Sequence, residues 1–153
     1  MEIGRIEALP DELGELVAVS LDENFRAVER LRAEWDRGSN RFLGPGEALF
    51  EARLSGQLVA ICGLNTDPFA ADATLGRLRH LYVVPGSRLR GVGRALVSAV
   101  LLHAQQHFRT VRLRSFGSDA DRFYVALGFE RIAANADATH QIQLTSEPST
   151  RSH

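Results

Sequence analysis

Lysine is absent from this chain of 153 residues, and all 18 basic side chains are arginine, a bias we ascribe to genome composition rather than to function. A single cysteine, Cys62, excludes an intrachain disulfide and fits a reduced, cytoplasmic setting. It sits in the apolar run Leu58 to Leu64 and so reads as a buried core residue. No apolar run approaches the ~20 residues that span a bilayer, which excludes a membrane-crossing helix. The first residues, MEIGRIEALPDELGE, are acidic and lack the basic-then-apolar plan of a secretory leader. Acids are also missing from residues 73–118, which carry eight arginines and no Asp or Glu. Residues 1–72 hold 14 acids against seven arginines, so the net charge of −1 conceals a segregated distribution. An acid-free stretch of this length either meets a polyanion or pairs with acids elsewhere in the chain.

What is present suits one globular domain: 44% hydrophobic and 24% charged residues, with enough length for a real core. We expect a domain over 1–145 and a frayed tail over 146–153. Leu16 to Val19 reads as a short strand, followed by Asp22 as a helix N-cap. Phe25, Val28, Leu31, Arg32 and Trp35 recur at helical spacing, and Gly38 closes that helix. Ala48 to Arg53 and Gln57 to Leu64 read as strands joined by the hairpin turn Leu54-Ser55-Gly56. Leu78 to Val84 reads as a strand stopped by Pro85-Gly86, and Gly91 to His107 as a helix. A strand over Thr110 to Arg114, a helix over Asp119 to Leu127, and strands over Phe129 to Ala133 and Gln141 to Leu144 complete an α/β chain. The early hairpin argues for a mixed sheet flanked by helices rather than a purely parallel one.

The chemistry concentrates in LRHLYVVPGSRLRGVGRALVSAVLL, a strand, a Pro-Gly turn, an arginine-rich loop and two glycines that open a helix. The first amides of a helix lack internal partners and point, with the helix dipole, at whatever lies ahead of it. Gly91 and Gly93 let a ligand approach the backbone, and Arg88, Arg90 and Arg94 add positive charge. The combination suits a diphosphate. Gly91-Val92-Gly93-Arg94-Ala95-Leu96 fails the dinucleotide fingerprint at its third glycine, and Val92-Gly93 replace the Lys-Ser/Thr pair of a P-loop.

Arg88-Leu89-Arg90-Gly91-Val92-Gly93 does fit R/Q-x-x-G-x-G/A, the acetyl-CoA signature of the GNAT N-acetyltransferase superfamily. Phe123-Tyr124-Val125-Ala126-Leu127-Gly128-Phe129 resembles that family's F-Y-x-x-L-G-F segment. The resemblance covers roughly Ala48 to Ile132. It implies a mostly antiparallel mixed sheet of about seven strands, splayed at its centre and flanked by helices. It further implies acetyl-CoA as co-substrate, no metal, and a small-molecule or peptide amine as acceptor. By the same resemblance, the pantetheine arm would pair with backbone groups near Leu81, Tyr82 and Val83. The amides of Leu89 to Arg94, Val92 among them, would hold the diphosphate. Tyr124 matches the tyrosine that protonates the departing thiolate, or else is amphipathic core.

Two positions depart from the pattern. Arg77 stands where many relatives carry a glutamate base, and arginine stays charged. His80 titrates in a useful range but lies one residue out of register, toward the other face of a regular strand. Asp67, Asp72 and His140 are weaker candidates for a base. Gly117 stands where relatives often place a cofactor-binding asparagine, for which Ser118 could compensate. Trp35, Asp36, Asn40 and Phe42 could line the acceptor pocket. The acidic N-terminal half favours a cationic acceptor. A non-catalytic acyl-CoA-binding module is the alternative to an enzyme, and the family leaves a homodimer open. We expect no nucleic-acid or membrane partner.

Overall fold

The computed structural model describes residues 1–133 and 137–144, so the expected tail lies outside the described residues. Strand β1 (Glu2–Ile6) leads into helices α1 (Leu13–Asp22) and α2 (Ala27–Arg37). Strands β2 (Ala48–Leu54), β3 (Gln57–Thr66) and β4 (Leu75–Val83) follow. A 3₁₀ turn over Pro85–Arg90 passes the chain to α3 (Val92–Ala104), then β5 (Thr110–Leu113), α4 (Ser118–Ala126), β6 (Glu130–Arg131) and β7 (His140–Gln143). The strands form one seven-stranded sheet in the order β1-β2-β3-β4-β5-β7-β6. Every neighbouring pair is antiparallel except β4 and β5.

Continuous apolar character in β3 calls for cover on both faces, and both are covered. Ala60, Cys62 and Leu64 pack with Val92, Leu96, Val97 and Val100 of α3. Leu58 and Ile61 pack on the other face with Leu13, Leu16 and Val17 of α1 and Val28 and Leu31 of α2. Removing each of the Val, Leu and Ile side chains from water contributes ~1.5–3 kcal/mol, so the sheet and its three larger helices depend on one another.

Several expectations are corrected. Leu16 to Val19 is not a strand but the middle of α1, where Leu13, Leu16, Val17 and Ser20 make a buried stripe at helical spacing. Four apolar residues in a row carry no period of their own, and the stripe emerges only over a longer window. Asp22 does not cap α2: it ends α1, and α2 starts after Arg26. Gly38 closes α2 in the left-handed conformation (φ 78°), as expected. Strand β1 has only two half-buried side chains, Ile3 and Ile6, and so carries no clear apolar alternation. The expected strand over Phe129 to Ala133 shortens to β6, and Pro85–Arg90 coils into a 3₁₀ turn rather than an open loop.

Helix α4 is short, and polar groups add to the packing of its Phe123 and Tyr124. Asp121 accepts from His140 Nε2 of β7 at 2.8 Å and from Arg131 Nη2 of β6 at 2.6 Å. Because the carboxylate can only accept, His140 Nε2 donates here, and Nδ1 lies 2.8 Å from the Thr139 hydroxyl. Arg131 and His140 hold the Asp121 carboxyl down to about 2. A carboxyl depressed in the folded state stabilises above its unfolded value of ~3.9 and loses that contribution as pH falls toward the folded one. We therefore expect wild-type stability to drop between about pH 4 and 2 more steeply than that of Asp121→Asn, read from urea midpoints at each pH. Glycine packing offers a second check. A Cβ at Gly76 would lie 2.9 Å from the Phe108 ring and one at Gly63 2.7 Å from the Phe42 ring, whereas one at Gly4 meets nothing within 4 Å. We expect Gly63→Ala and Gly76→Ala each to cost ~1–3 kcal/mol in urea denaturation by overpacking, and Gly4→Ala to stay within about 0.5 kcal/mol.

Candidate active site

Strand β4 is held by β3 along its length, yet it meets β5 only at Leu75, Gly76 and Arg77. From Leu78 to Val83 its second edge has no strand partner among the described residues. Six residues of strand at ~3.3 Å each leave an edge of ~20 Å whose peptide groups are open to a ligand. The expected parting of the two strands is therefore a feature of the fold. Part of the edge is already used: the Val83 carbonyl accepts from Arg88 Nε at 2.9 Å.

A bulge interrupts β4 inside this stretch. Tyr82 faces Ile61 and Arg79 faces Gly63, so Cys62 opposes two residues, His80 and Leu81. His80 takes up the extra residue with φ 62°, a sparsely populated conformation that is stored preferentially at functional sites. The bulge also corrects the facing expected of His80. Arg79 reaches Glu34 of α2, and His80 meets the Phe42 ring edge-on at 6.5 Å, so both turn toward the α1–α2 side. Burial, helped by Arg79, lowers His80 to about 3, and its Nε2 is sealed from solvent without a hydrogen bond. The imidazole is neutral at physiological pH and a weak base.

The open edge leads to the start of α3. Gly91 takes φ 77° there, and no side chain caps the helix, so its first amides remain available. Gly93 is needed for a different reason: a Cβ there would stand 3.3 Å from the Phe123 ring and 3.4 Å from Val83. This contact sets α3 close against β4 and α4. Leu89, Arg90 and Arg94 are exposed around the same mouth, and Ser118, also exposed, begins α4 nearby in sequence to Gly117, whose φ is 98°. Arg88 is engaged elsewhere. Its guanidinium binds Glu23 at the end of α1 (Nη1 to Oε2 2.9 Å) and stands 5.5 Å over the Tyr82 ring. The Tyr82 hydroxyl donates to the same carboxylate at 2.6 Å. This buckle ties the α1–α2 turn to the 3₁₀ turn.

Tyr124 sits on α4, buried among Phe123, Phe129 and His140, whose ring centroids lie at 5.0, 5.5 and 6.0 Å. Burial raises its pKa well above that of free tyrosine, so the phenol keeps its proton. Arg77, where a glutamate was expected by family pattern, is buried as well. Its Nη1 lies 3.5 Å from Asp67 Oδ2 without hydrogen-bond alignment, Nη2 donates to the Asp137 carbonyl, and the guanidinium stacks 4.7 Å over Phe69. Burial pulls its pKa down and Asp67 opposes that shift. Asp72 is bound to Thr74 in the β3–β4 loop.

Of the residues expected around the acceptor, Asn40 lines a cleft of about 310 Å³ together with Glu34, Glu47, Asn65, Thr66 and Arg79. Phe42 is buried against Gly63, and Trp35 is half-buried beside Phe42 at 6.5 Å. Glu34 was missed by the sequence reading. Its signal was the step of three from Val28 through Leu31, which places residue 34 on the buried stripe of α2. No group of three His, Cys, Asp or Glu among the described residues is placed to hold a metal ion, and no described helix is long and apolar enough to cross a membrane.

The family model for an acetyltransferase (GNAT) domain matches residues 45–131. No protein of curated function matches the sequence. A crystal structure from Exiguobacterium sp. 255-15, provisionally assigned as an acetyltransferase, shares 31% identity over 93% of this chain and 92% of its own, with a TM-score of 0.81. A GNAT-family acetyltransferase from Staphylococcus aureus Mu50 is similar at 18% identity, covering 94% of this chain and all of its own, with a TM-score of 0.71. The ribosomal-protein-S18-alanine N-acetyltransferase from Escherichia coli is similar in fold at 14% identity, over 99% of each chain, with a TM-score of 0.64. With its parted central strands, its uncapped glycine-led helix and a matching domain model over more than half its length, this chain belongs to the GNAT acetyltransferase family.

Proposed function

We propose that the protein is an N-acetyltransferase that moves an acetyl group from acetyl-CoA to a primary amine by direct attack. The observation that carries this reading is the continuous path from the free edge of β4 at Leu78–Val83 to the uncapped amides at the front of α3. The path is extended at one end and anion-seeking at the other, as the pantetheine arm and the diphosphate of coenzyme A require. Backbone groups near Leu81, Tyr82 and Val83 would hold the arm. The amides between Leu89 and Arg94 would hold the diphosphate, with Arg90 and Arg94 adding charge and Ser118 a hydroxyl. Arg88 enters through its backbone, since Glu23 occupies its side chain.

Acetyl-CoA supplies an activated acyl carbon. The amine nitrogen bonds to that carbon, the carbon–sulfur bond breaks, and nitrogen gives up a proton as sulfur gains one. Tyr124 is the donor to sulfur in this reading. Its buried phenol stays protonated, so it offers a hydrogen bond to the growing thiolate and passes its proton to sulfur; the nitrogen's proton leaves to water, from which the phenolate regains its own. General acid assistance of this kind contributes about 10²–10⁴-fold. We assign no base. Arg77 is charged and locked against Asp67 and Phe69, and His80 is too weak and too enclosed, so the amine reacts as the fraction that arrives neutral. His80 instead sits in the bulge of β4, within the stretch that has left β5. The reading suits the reduced cytoplasm, where buried Cys62 remains a thiol.

Tyr124→Phe should lower kcat by about 10²–10⁴-fold while acetyl-CoA affinity stays within about twofold, measured by thiol release with a panel of primary amines. Unaltered kcat would remove Tyr124 from the donor role. Acetyl-CoA itself should stabilise the fold by about 2.7 kcal/mol at 100 times its dissociation constant. A thermal scan with saturating acetyl-CoA and no upward shift would refute the cofactor cleft and the reading with it.

A further inference from the structure

The cleft beside α2 contains a charge the protein leaves unfinished. Glu34 lies on the core side of α2 with only 20% of its side chain exposed. One carboxylate oxygen, Oε1, is buried without a hydrogen bond, and the other stands 3.6 Å from Arg79 Nη2, beyond hydrogen-bond reach. A carboxylate withdrawn from water needs donors to replace those it gave up, and its neighbours here supply none. Three other polar side chains of the cleft are occupied. Glu47 accepts from the Gly44 and Thr66 amides at 3.0 Å, and Asn40 and Asn65 exchange a reciprocal pair of 3.0 Å amide bonds. With Glu34 and Glu47 negative and Arg79 positive, the lining carries one net negative charge. Glu34 is thus the group in this wall that an incoming cation would satisfy.

The cleft is also offset from the expected site of transfer. Its wall is made by Asn65 and Thr66 of β3, Arg79 of β4, Glu34 of α2 and the segment between α2 and β2, on the β3 side of β4. The free edge that would carry the thioester lies on the opposite side of β4. Neighbouring strands are about 4.8 Å apart, so a cation in the cleft stands at least about one strand spacing from the reacting carbon. It would serve as an anchor and not as the nucleophile.

Resting on the acetyltransfer reading, we propose that Glu34 is a specificity-determining counter-ion: the acceptor carries two cationic amines, one held by Glu34 in this cleft and the other acetylated at the parted strands. Binding lets ammonium N–H groups hydrogen-bond to the Glu34 carboxylate, after a small rotation exposes Oε1, while the second amine, neutral, attacks the acyl carbon.

The test uses the full chain with 1,4-diaminobutane, n-butylamine and 4-aminobutanoate, which share a four-carbon skeleton. The diamine should exceed both others in kcat/KM by at least about tenfold, the equivalent of one ion pair at ~1.4 kcal/mol. Glu34→Gln should bring the diamine down to the monoamine's level, chiefly through KM. Acetyl-CoA should raise the melting temperature of both proteins equally, which reads folding and the cofactor cleft apart from the acceptor. The diamine alone should stabilise the wild type and not Glu34→Gln. Equal use of diamine and monoamine, a preference for the amino acid, an undiminished preference in Glu34→Gln, or no turnover of any of the three beside a normal acetyl-CoA shift would each overturn the anchor and leave the acetyltransfer reading standing. A missing acetyl-CoA shift beside a Glu34-dependent diamine shift would do the reverse, sinking the transfer reading while the cation site remained.

Discussion

Three residue pairs hold β4 to β5, and then the strands part. A sheet gains its cohesion from ladder hydrogen bonds, so an interior strand that abandons one neighbour for six residues gives up bonds that a closed sheet would keep. What permits it here is cover from both sides and a firm grip by β3. Leu78, Leu81 and Val83 pack with α3 and α4, while Tyr82 packs with α1 and α2. The bulge at His80 lies in the same parted stretch, where the extra residue turns His80 toward the α1–α2 side.

Around that opening the protein arranges its charges in pairs drawn from distant parts of the chain. Three arginines of the acid-free segment find carboxylates in the acidic N-terminal half: Arg77 meets Asp67, Arg79 meets Glu34, and Arg88 meets Glu23. The segregated charge is thus partly internal, a set of ties between β4 with its following turn and the helices that cover it. Arg90 and Arg94 stay exposed at the mouth of α3. That division separates arginines that organise the fold from those free to meet an anion. It also explains why an arginine is tolerated at position 77, in the middle of the sheet: Phe69, Asp67 and the Asp137 carbonyl surround it.

The two motif glycines have separate physical duties. Gly91 supplies a positive φ in open space, and Gly93 supplies room for the Phe123 ring. Tyr124, the next residue, is then carried on a helix fastened by Asp121 to His140 and Arg131. The two sequence blocks that carry the family resemblance are therefore in direct contact, and the position of the buried phenol depends on both.

Local chemistry in the sequence determined the hairpin of β2 and β3, the helix ended by Gly38, the strand halted by Pro85 and the glycine-led start of α3. In each case the cause lies within a few residues: a turn dipeptide, a period, a missing N–H or a missing Cβ. Tertiary contact decided the rest. Leu16 to Val19 became helix because the stripe that runs on to Ser20 found β3 to bury against. The facing of His80 followed from a register that only the pairing of β3 with β4 creates. The diversion of Arg88 to Glu23, the enclosure of Arg77 and the unsatisfied carboxylate of Glu34 join residues up to 65 positions apart. Which charge meets which is settled by packing, and for Arg79 with Glu34 and Arg88 with Glu23 no short window of sequence contains both partners.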